Sequence, residues 1–172
     1  VHLDILGTLL IFIAGFGWAK PVMVNRSYFK KPRLMGILVS IAGPLSNLLI
    51  GFLGIVIVYI LVKFHMLTGL SQGSIDAIVV FLKLLIHLNL LLFVFNLIPL
   101  PPLDGYRILQ DVLPHDLRMK AAKYEQWAVY IFLLMVFIPP LSAVTIGPIL
   151  QLTNVLQNSF YQLLLTLFGP AA

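Results

Sequence analysis

The feature that most constrains this chain is a set of long apolar runs with very little charge. The run from Gly36 to Val62 contains no acidic or basic residue, and a helical crossing of a bilayer takes roughly 20 apolar residues. The 172 residues are 60% hydrophobic and 10% charged, whereas a soluble domain carries roughly 25% charged residues. The sequence therefore predicts an all-α polytopic membrane protein. It excludes a soluble globular domain, a disordered chain and a nucleic-acid-binding domain.

Five apolar runs divide the chain. The first, Ile5 to Trp18, is too short for a crossing and predicts a short re-entrant or interfacial N-terminal segment. We therefore expect about four transmembrane helices plus this segment, in one membrane-embedded domain that covers residues 1–172. The four predicted spans are Gly36–Val62, Ile75–Ile98, Trp127–Ile138 with a continuation past Pro139 and Pro140 toward Ile146, and Ile149–Phe168.

The distribution of basic residues orients these spans. Five Lys and Arg residues lie in the loop 19–35 and four in the loop 105–126, whereas the linker between the second and third runs holds only Lys63. Loops rich in Lys and Arg stay on the cytoplasmic side, so both basic loops are predicted to be cytoplasmic. We expect an integral membrane protein that is surrounded by lipid. No fixed-period repeat supports an inverted-repeat transporter.

Several enzyme chemistries lack the residues they need. The chain has no cysteine, its only glutamate is Glu125, and no two of its four histidines stand at i and i+4. A catalytic zinc site takes three protein ligands and an open position, and these residues do not provide that set. The segment Gly69–Gly73 matches the G-x-S-x-G elbow of serine hydrolases. That elbow needs a preceding strand, whereas this segment lies between two apolar runs.

Asp104 is the main candidate for chemistry, because it follows a broken apolar run. Pro99, Pro101 and Pro102 lack an N–H donor and interrupt a helix. Irregular backbone at membrane depth is tolerated only beside protein or a water-filled cavity. This pattern predicts a hydrated pocket at Asp104, where Gly105 allows neighbouring groups to approach the backbone closely. The alternative is an interfacial aspartate that caps the next helix, and local features leave both interpretations open.

A second polar cluster, Ile41–Asn47, lies inside the second apolar run. Gly43, Asn47 and Gly51 fall at i, i+4 and i+8, so they share one helix face. Small residues on such a face let another helix approach closely, and Asn47 would need a hydrogen-bond partner there. The spacing alone favours a packing role over a functional one.

Four segments together resemble the site-2 protease family of intramembrane zinc metalloproteases, in its small bacterial branch. The segment Asn96-x-x-Pro99, followed by Leu103-Asp104-Gly105, resembles the N-x-x-P…L-D-G signature of that family. Three further segments resemble other family signatures in the same order along the chain: His2–Thr8, Gly17–Val22 followed by Val24 and Asn25, and Ala42–Asn47.

The resemblance implies an intramembrane zinc metalloendopeptidase that cleaves membrane-tethered proteins, with a transmembrane protein as substrate. In the family, zinc is held by two histidines of an HExxH motif and by the aspartate of L-D-G, which here is Asp104. The resemblance assigns substrate positioning to Asn96, Pro99 and Gly105, and packing of the motif to Gly43, Pro44 and Asn47.

The motif HExxH is not among these residues. We expect that the chain begins after the span that carries it, so that it is N-terminally truncated. The zinc site is then incomplete, and these residues alone neither bind catalytic zinc nor cleave peptides. Two alternatives remain: a non-catalytic pseudoprotease or membrane scaffold, and a transporter or channel subunit. An HExxH motif upstream would indicate the enzyme, whereas further intramembrane charges or a repeat would indicate transport.

Overall fold

The computed structural model describes residues 29–170. By its contacts the chain divides into two compact units, Val1–Pro32 and Arg33–Ala172. The predicted N-terminal segment Ile5–Trp18 lies outside the described residues, as do the two N-terminal motif segments.

The described part of the chain is all-α, as the sequence predicted. Two long helices are followed by a short one, a further long helix, two short ones and a closing helix. Their bounds are α1 Pro32–Lys63, α2 Gln72–Asn96, α3 Asp104–Val112, α4 His115–Phe137, α5 Pro139–Val144, α6 Ile146–Leu150 and α7 Leu152–Phe168.

Helices α1 and α2 coincide with the predicted spans Gly36–Val62 and Ile75–Ile98. Both are long and apolar enough to cross a membrane by length and composition. Only 22% of the most apolar window of each helix is buried, whereas a core helix of a soluble protein would be mostly buried. Two of the expected crossings therefore have helices of the required length and character.

Glycines bring α1 and α2 into close antiparallel contact. A Cβ atom on Gly51 would lie 2.8 Å from the side chain of Leu90, and one on Gly54 would lie 2.7 Å from that of Ile86. The sequence spacing predicted this close approach at Gly51 and missed Gly54. Leu90 is fully buried, so the contact lies in the core of the bundle.

Helix α7 lies parallel to α1 and antiparallel to α2. The rings of Phe52 and Phe160 are 5.1 Å apart, and the Tyr59 hydroxyl donates a hydrogen bond of 2.7 Å to the carbonyl of Gly169. The Lys63 ammonium donates to the carbonyl of Phe168. Helix α7 therefore begins at the end of the bundle where α2 ends.

The third predicted span, which begins at Trp127, differs from the expectation. The apolar part of α4, from Trp127 onward, is about 16 Å long, against about 30 Å of hydrocarbon. Pro139 and Pro140 open a new helix, α5, because neither can continue the hydrogen bonding of α4. One helix therefore does not run on to Ile146. If α4 crossed the membrane once, α7 would start at the opposite end of the bundle from the end of α2. Because α7 instead starts at the same end, residues 97–151 leave the bundle and return to it at that end.

Candidate functional site

The site begins where α2 stops, at a stretch of irregular backbone. Beyond Asn96 the chain makes tight turns, in which the N–H of Leu100 bonds to the carbonyl of Ile98 at 2.8 Å and the N–H of Leu103 bonds to that of Leu100 at 3.0 Å. The three prolines of this stretch cannot donate hydrogen bonds. Phe132 of α4 is buried and packs with Ile98 and Leu103, so apolar side chains fix this backbone from one side.

Gly105 lies directly against the backbone of this stretch. A Cβ atom there would lie 2.6 Å from the carbonyl oxygen of Ile98 and closer still to that of Leu97. A real Cβ atom cannot approach a backbone oxygen so closely, because the heavy atoms would overlap. Packing therefore explains why a glycine follows Asp104.

Asp104 is the first residue of α3 and is partly buried. A Cβ atom on Gly43 of α1 would lie 3.6 Å from its carboxylate oxygen Oδ2. The two polar clusters of the sequence, one in α1 and one after α2, therefore meet at this carboxylate. The position is also the first turn of a helix, where the helix dipole favours an anion.

The surroundings of Asp104 act on its pKa in opposite directions. Burial raises the pKa of this carboxyl above its ordinary value of 3.8, because a desolvated carboxylate loses hydration. The positive charge of Arg107, three residues later on α3, lowers the pKa and offsets part of that effect.

The remaining predicted site residues occupy different environments. Pro44 is fully buried inside α1. The Asn96 amide donates 2.9 Å to the carbonyl of Leu92 in its own helix, and Pro99 is exposed. Asn47 is half-buried, and within residues 29–170 no hydrogen bond of its side chain is found, so the partner predicted for it is not seen. Only Gly43 and Gly105 approach Asp104 or the backbone that supports it.

Helix α3 is tied to α4 by polar contacts that the sequence did not reveal. The Tyr106 hydroxyl donates 3.2 Å to the carbonyl of Ala121. The buried carboxylate of Asp111 lies 3.9 Å from the Arg118 guanidinium. A third contact joins the Gln110 amide to Glu125 at 3.2 Å. These pairs stand 7 to 15 residues apart, and no local pattern marks them.

The other sequence candidates lie away from this site. Ser71 caps the first turn of α2 by accepting a hydrogen bond from the N–H of Ser74. The linker before it is made of turns, so the structure provides no strand for a serine-hydrolase elbow there. His115 pairs with Asp116 at 3.7 Å at an exposed position, and His87 is exposed on α2.

Within residues 29–170 no group of three or more histidine, aspartate and glutamate side chains could hold a metal ion. Asp104 is one carboxylate donor of the kind that zinc binds. The described residues thus fit a single ligand position and do not by themselves fit a zinc site.

Comparison with known proteins identifies the family. The family model for "Peptidase family M50" matches residues 8–139. "Putative zinc metalloprotease YwhC" of Bacillus subtilis (strain 168) is 47% identical over 174 residues, which cover 98% of this chain and 74% of the relative.

Two mycobacterial relatives share the name "Putative zinc metalloprotease Rip2". The protein of Mycobacterium tuberculosis (strain ATCC 25618 / H37Rv) is 33% identical over 138 residues, and that of Mycolicibacterium smegmatis (strain ATCC 700084 / mc(2)155) is 29% identical over 141 residues. The chain spans about half the length of each, 49% in both cases. No solved structure is significantly similar to the chain. The match over most of its length, with the meeting of the two signatures at Asp104, shows that the chain belongs to peptidase family M50, the site-2 protease family.

Proposed function

We propose that this chain is part of an intramembrane zinc metalloendopeptidase that cleaves membrane-tethered proteins, and that Asp104 is one of its zinc ligands. The observation that carries the proposal is the position of the Asp104 carboxylate beside Gly43. A carboxylate at the junction of two motifs, on rigid broken backbone, is suited to hold one metal position. The names of the relatives, which all include zinc metalloprotease, support the choice of metal.

The other motif residues would shape the surroundings of this carboxylate. Gly43, Pro44 and Asn47 would pack the α1 side of the site, and Asn96 and Pro99 would position a substrate strand, with Gly105 allowing the backbone to come close. A helical substrate has its backbone groups paired, so its segment near Asp104 would have to unwind before a carbonyl becomes accessible.

The proposed setting is a bacterial cytoplasmic membrane, with residues 1–172 as one membrane-embedded domain surrounded by lipid. Helices α1 and α2 would cross the bilayer, and α7 would reach the far side with them. The loops 19–35 and 105–126 would lie on the cytoplasmic side, as their basic residues indicate. Asp104 would then stand near the cytoplasmic face, where water can enter.

The test is Asp104→Ala in the protease as the cell makes it. We expect cleavage of a membrane-tethered reporter to fall to background and bound zinc, measured by elemental mass spectrometry, to drop, with insertion unchanged. Loss of a metal ligand removes both properties together. Asp116→Ala is the matched control, because that side chain is 95% exposed and lies outside the site. Full activity and zinc content in Asp104→Ala would remove Asp104 from the site.

The alternative is a non-catalytic pseudoprotease or membrane scaffold, which keeps the fold without the metal. The 172 residues tested alone are expected to give background cleavage under either candidate. The complete protein separates them: zinc-dependent cleavage identifies the enzyme, and its absence in a folded, inserted protein identifies the pseudoprotease.

A further inference from the structure

An apolar pocket of about 400 Å³ lies between the end of α2 and the start of α7. Phe93 and Val94 form its α2 side, and Leu152, Val155 and Leu156 form its α7 side. All its lining residues are apolar. The volume is at the lower end of the range for ligand pockets, about 300 to 1,000 Å³. Such a pocket can take an apolar group and offers nothing to a charged one.

The pocket shares a wall with the Asp104 site. Leu97, Ile98 and Pro99 line it, and the carbonyls of Leu97 and Ile98 are the groups against which Gly105 packs. An occupant would therefore be separated from Asp104–Gly105 by the thickness of one peptide backbone. The pocket also opens at the end of the bundle where α2 stops and α7 begins, and Asp104 lies at this end.

The shared wall offers an extended peptide a pocket for one side chain. No hydrogen-bond donor among the described residues reaches the carbonyl of Leu97, although the carbonyl of Ile98 accepts from Leu100. Extended peptides are recognised by main-chain hydrogen bonds together with pockets for individual side chains. Here the apolar pocket supplies the side-chain part of this arrangement, whereas the Leu97 carbonyl faces Gly105.

We infer that this pocket is a specificity subsite that receives one large apolar side chain, such as Leu or Phe, of the unwound transmembrane substrate. The inference rests on the proposed function. A lipid acyl chain is the other apolar occupant available in a membrane. Hydrocarbon chains can cover any lipid-facing groove, whereas this pocket is built on the backbone that supports the proposed zinc-ligand carboxylate, which favours the substrate.

The test compares Leu156→Trp, which fills the pocket, with Leu163→Trp, which places the same side chain two turns further along α7 at a half-exposed position outside it. The complete protease is reconstituted in vesicles of phosphatidylethanolamine and phosphatidylglycerol. The probe is a set of single-span reporter proteins in which each residue around the cleavage site is changed in turn to Ala, Leu or Phe.

Wild type is expected to prefer Leu or Phe over Ala at one reporter position by about tenfold or more in kcat/KM, because even one methylene in an apolar pocket discriminates about tenfold. Leu156→Trp should bring that ratio close to one while it still cleaves the Ala reporter, and Leu163→Trp should keep the preference. An unchanged preference in Leu156→Trp overturns the inference.

A second measurement does not depend on cleavage. The 172 residues contain no cysteine. In a complete protease from which any other cysteine has been removed, Leu156→Cys is therefore the single thiol, and an added oxidant can join it in a disulfide to a reporter that carries one cysteine. We expect cross-linking at the preferred reporter position and little one residue away. Equal cross-linking at all positions, or a tightly bound lipid that Leu156→Trp displaces without altering specificity, contradicts the inference. If wild type cleaves no reporter, the proposed function fails, and the cross-linking pattern still decides whether the pocket holds a peptide side chain.

Discussion

The middle of the α1–α2 bundle and the Asp104 site differ in what their glycines contact. In the middle of the bundle, Gly51 faces the side chain of Leu90. At the Asp104 end, Gly105 faces the carbonyl oxygens of Leu97 and Ile98. A leucine side chain can change its rotamer, whereas a backbone carbonyl moves only with its peptide unit. The bundle can therefore tolerate small changes at its glycines, and the site cannot.

Gly105→Ala should have the largest effect of the substitutions that test this difference. The new methyl group would overlap the carbonyl oxygens of Leu97 and Ile98, and no side-chain rotation can relieve the overlap. We expect the free energy of unfolding to fall by an amount at or above the upper end of the range of about 1–3 kcal/mol that is typical of overpacking. Reporter cleavage should also be lost. Thermal unfolding in detergent measures the first effect, and the reporter assay measures the second.

The matched control is Gly73→Ala in the first turn of α2. A Cβ atom at Gly73 would have no atom within 4 Å, and alanine is the better helix former. We expect unchanged or slightly raised stability. A Gly105→Ala protein as stable and active as the control would show that the backbone at Leu97 and Ile98 can move aside. The contrast between the bundle and the site would then disappear.

Gly51→Ala should have a smaller effect. Its Cβ atom would lie 2.8 Å from Leu90, and the cost of moving that side chain in a packed core is about 1–3 kcal/mol. Chemical denaturation measures this free energy of unfolding.

The double variant Gly51→Ala/Leu90→Ala sharpens the comparison. If the new methyl group overlaps only with Leu90, the double variant should lose less unfolding free energy than the sum of the two single variants, by about 0.5–3 kcal/mol. Strict additivity would mean that the alanine at Gly51 disturbs something other than Leu90, and the side-chain explanation would be wrong.

The sequence predicted the bundle better than the site, for a physical reason. Lipid-facing helices are long, uniform and apolar, so α1 and α2 are evident from composition alone. The close approach at Gly51 follows from the helical repeat. These features depend on neighbours in the chain, which a single sequence displays directly.

The geometry of the site depends on contacts between distant segments. The position of Gly43 beside Asp104 joins residues on two helices, and only a family resemblance connected them beforehand. Nothing local indicates that Tyr106 donates to Ala121. The direction of α7 is likewise set by tertiary contacts at Tyr59. That direction is what rules out a single crossing by the span predicted from Trp127.

Arg107→Gln should have the smallest effect and concerns charge rather than packing. The guanidinium lowers the pKa of Asp104, against the larger effect of burial. Removing it should raise the pKa of Asp104 further. In carboxyl-stretch infrared spectra of the metal-free protein, with Asp104→Asn as the reference, the protonated band of Asp104 should then persist to higher pH than in wild type. Arg118→Gln is the control, since that arginine lies beside Asp111, and it should leave the band unchanged.

The same change alters the stability of the metal-free protein in a defined pH range. The folded-state pKa of Asp104 lies above its ordinary value of 3.8, so the folded protein binds this proton more tightly than the unfolded chain does. Stability therefore falls as pH rises from the unfolded pKa to the folded pKa, and it is not recovered at higher pH. Arg107→Gln should extend this loss to higher pH, and the difference from Arg107→Gln/Asp104→Asn isolates it. An identical pH dependence in wild type and Arg107→Gln would show that solvent screens the arginine, leaving burial as the sole influence on the Asp104 carboxylate.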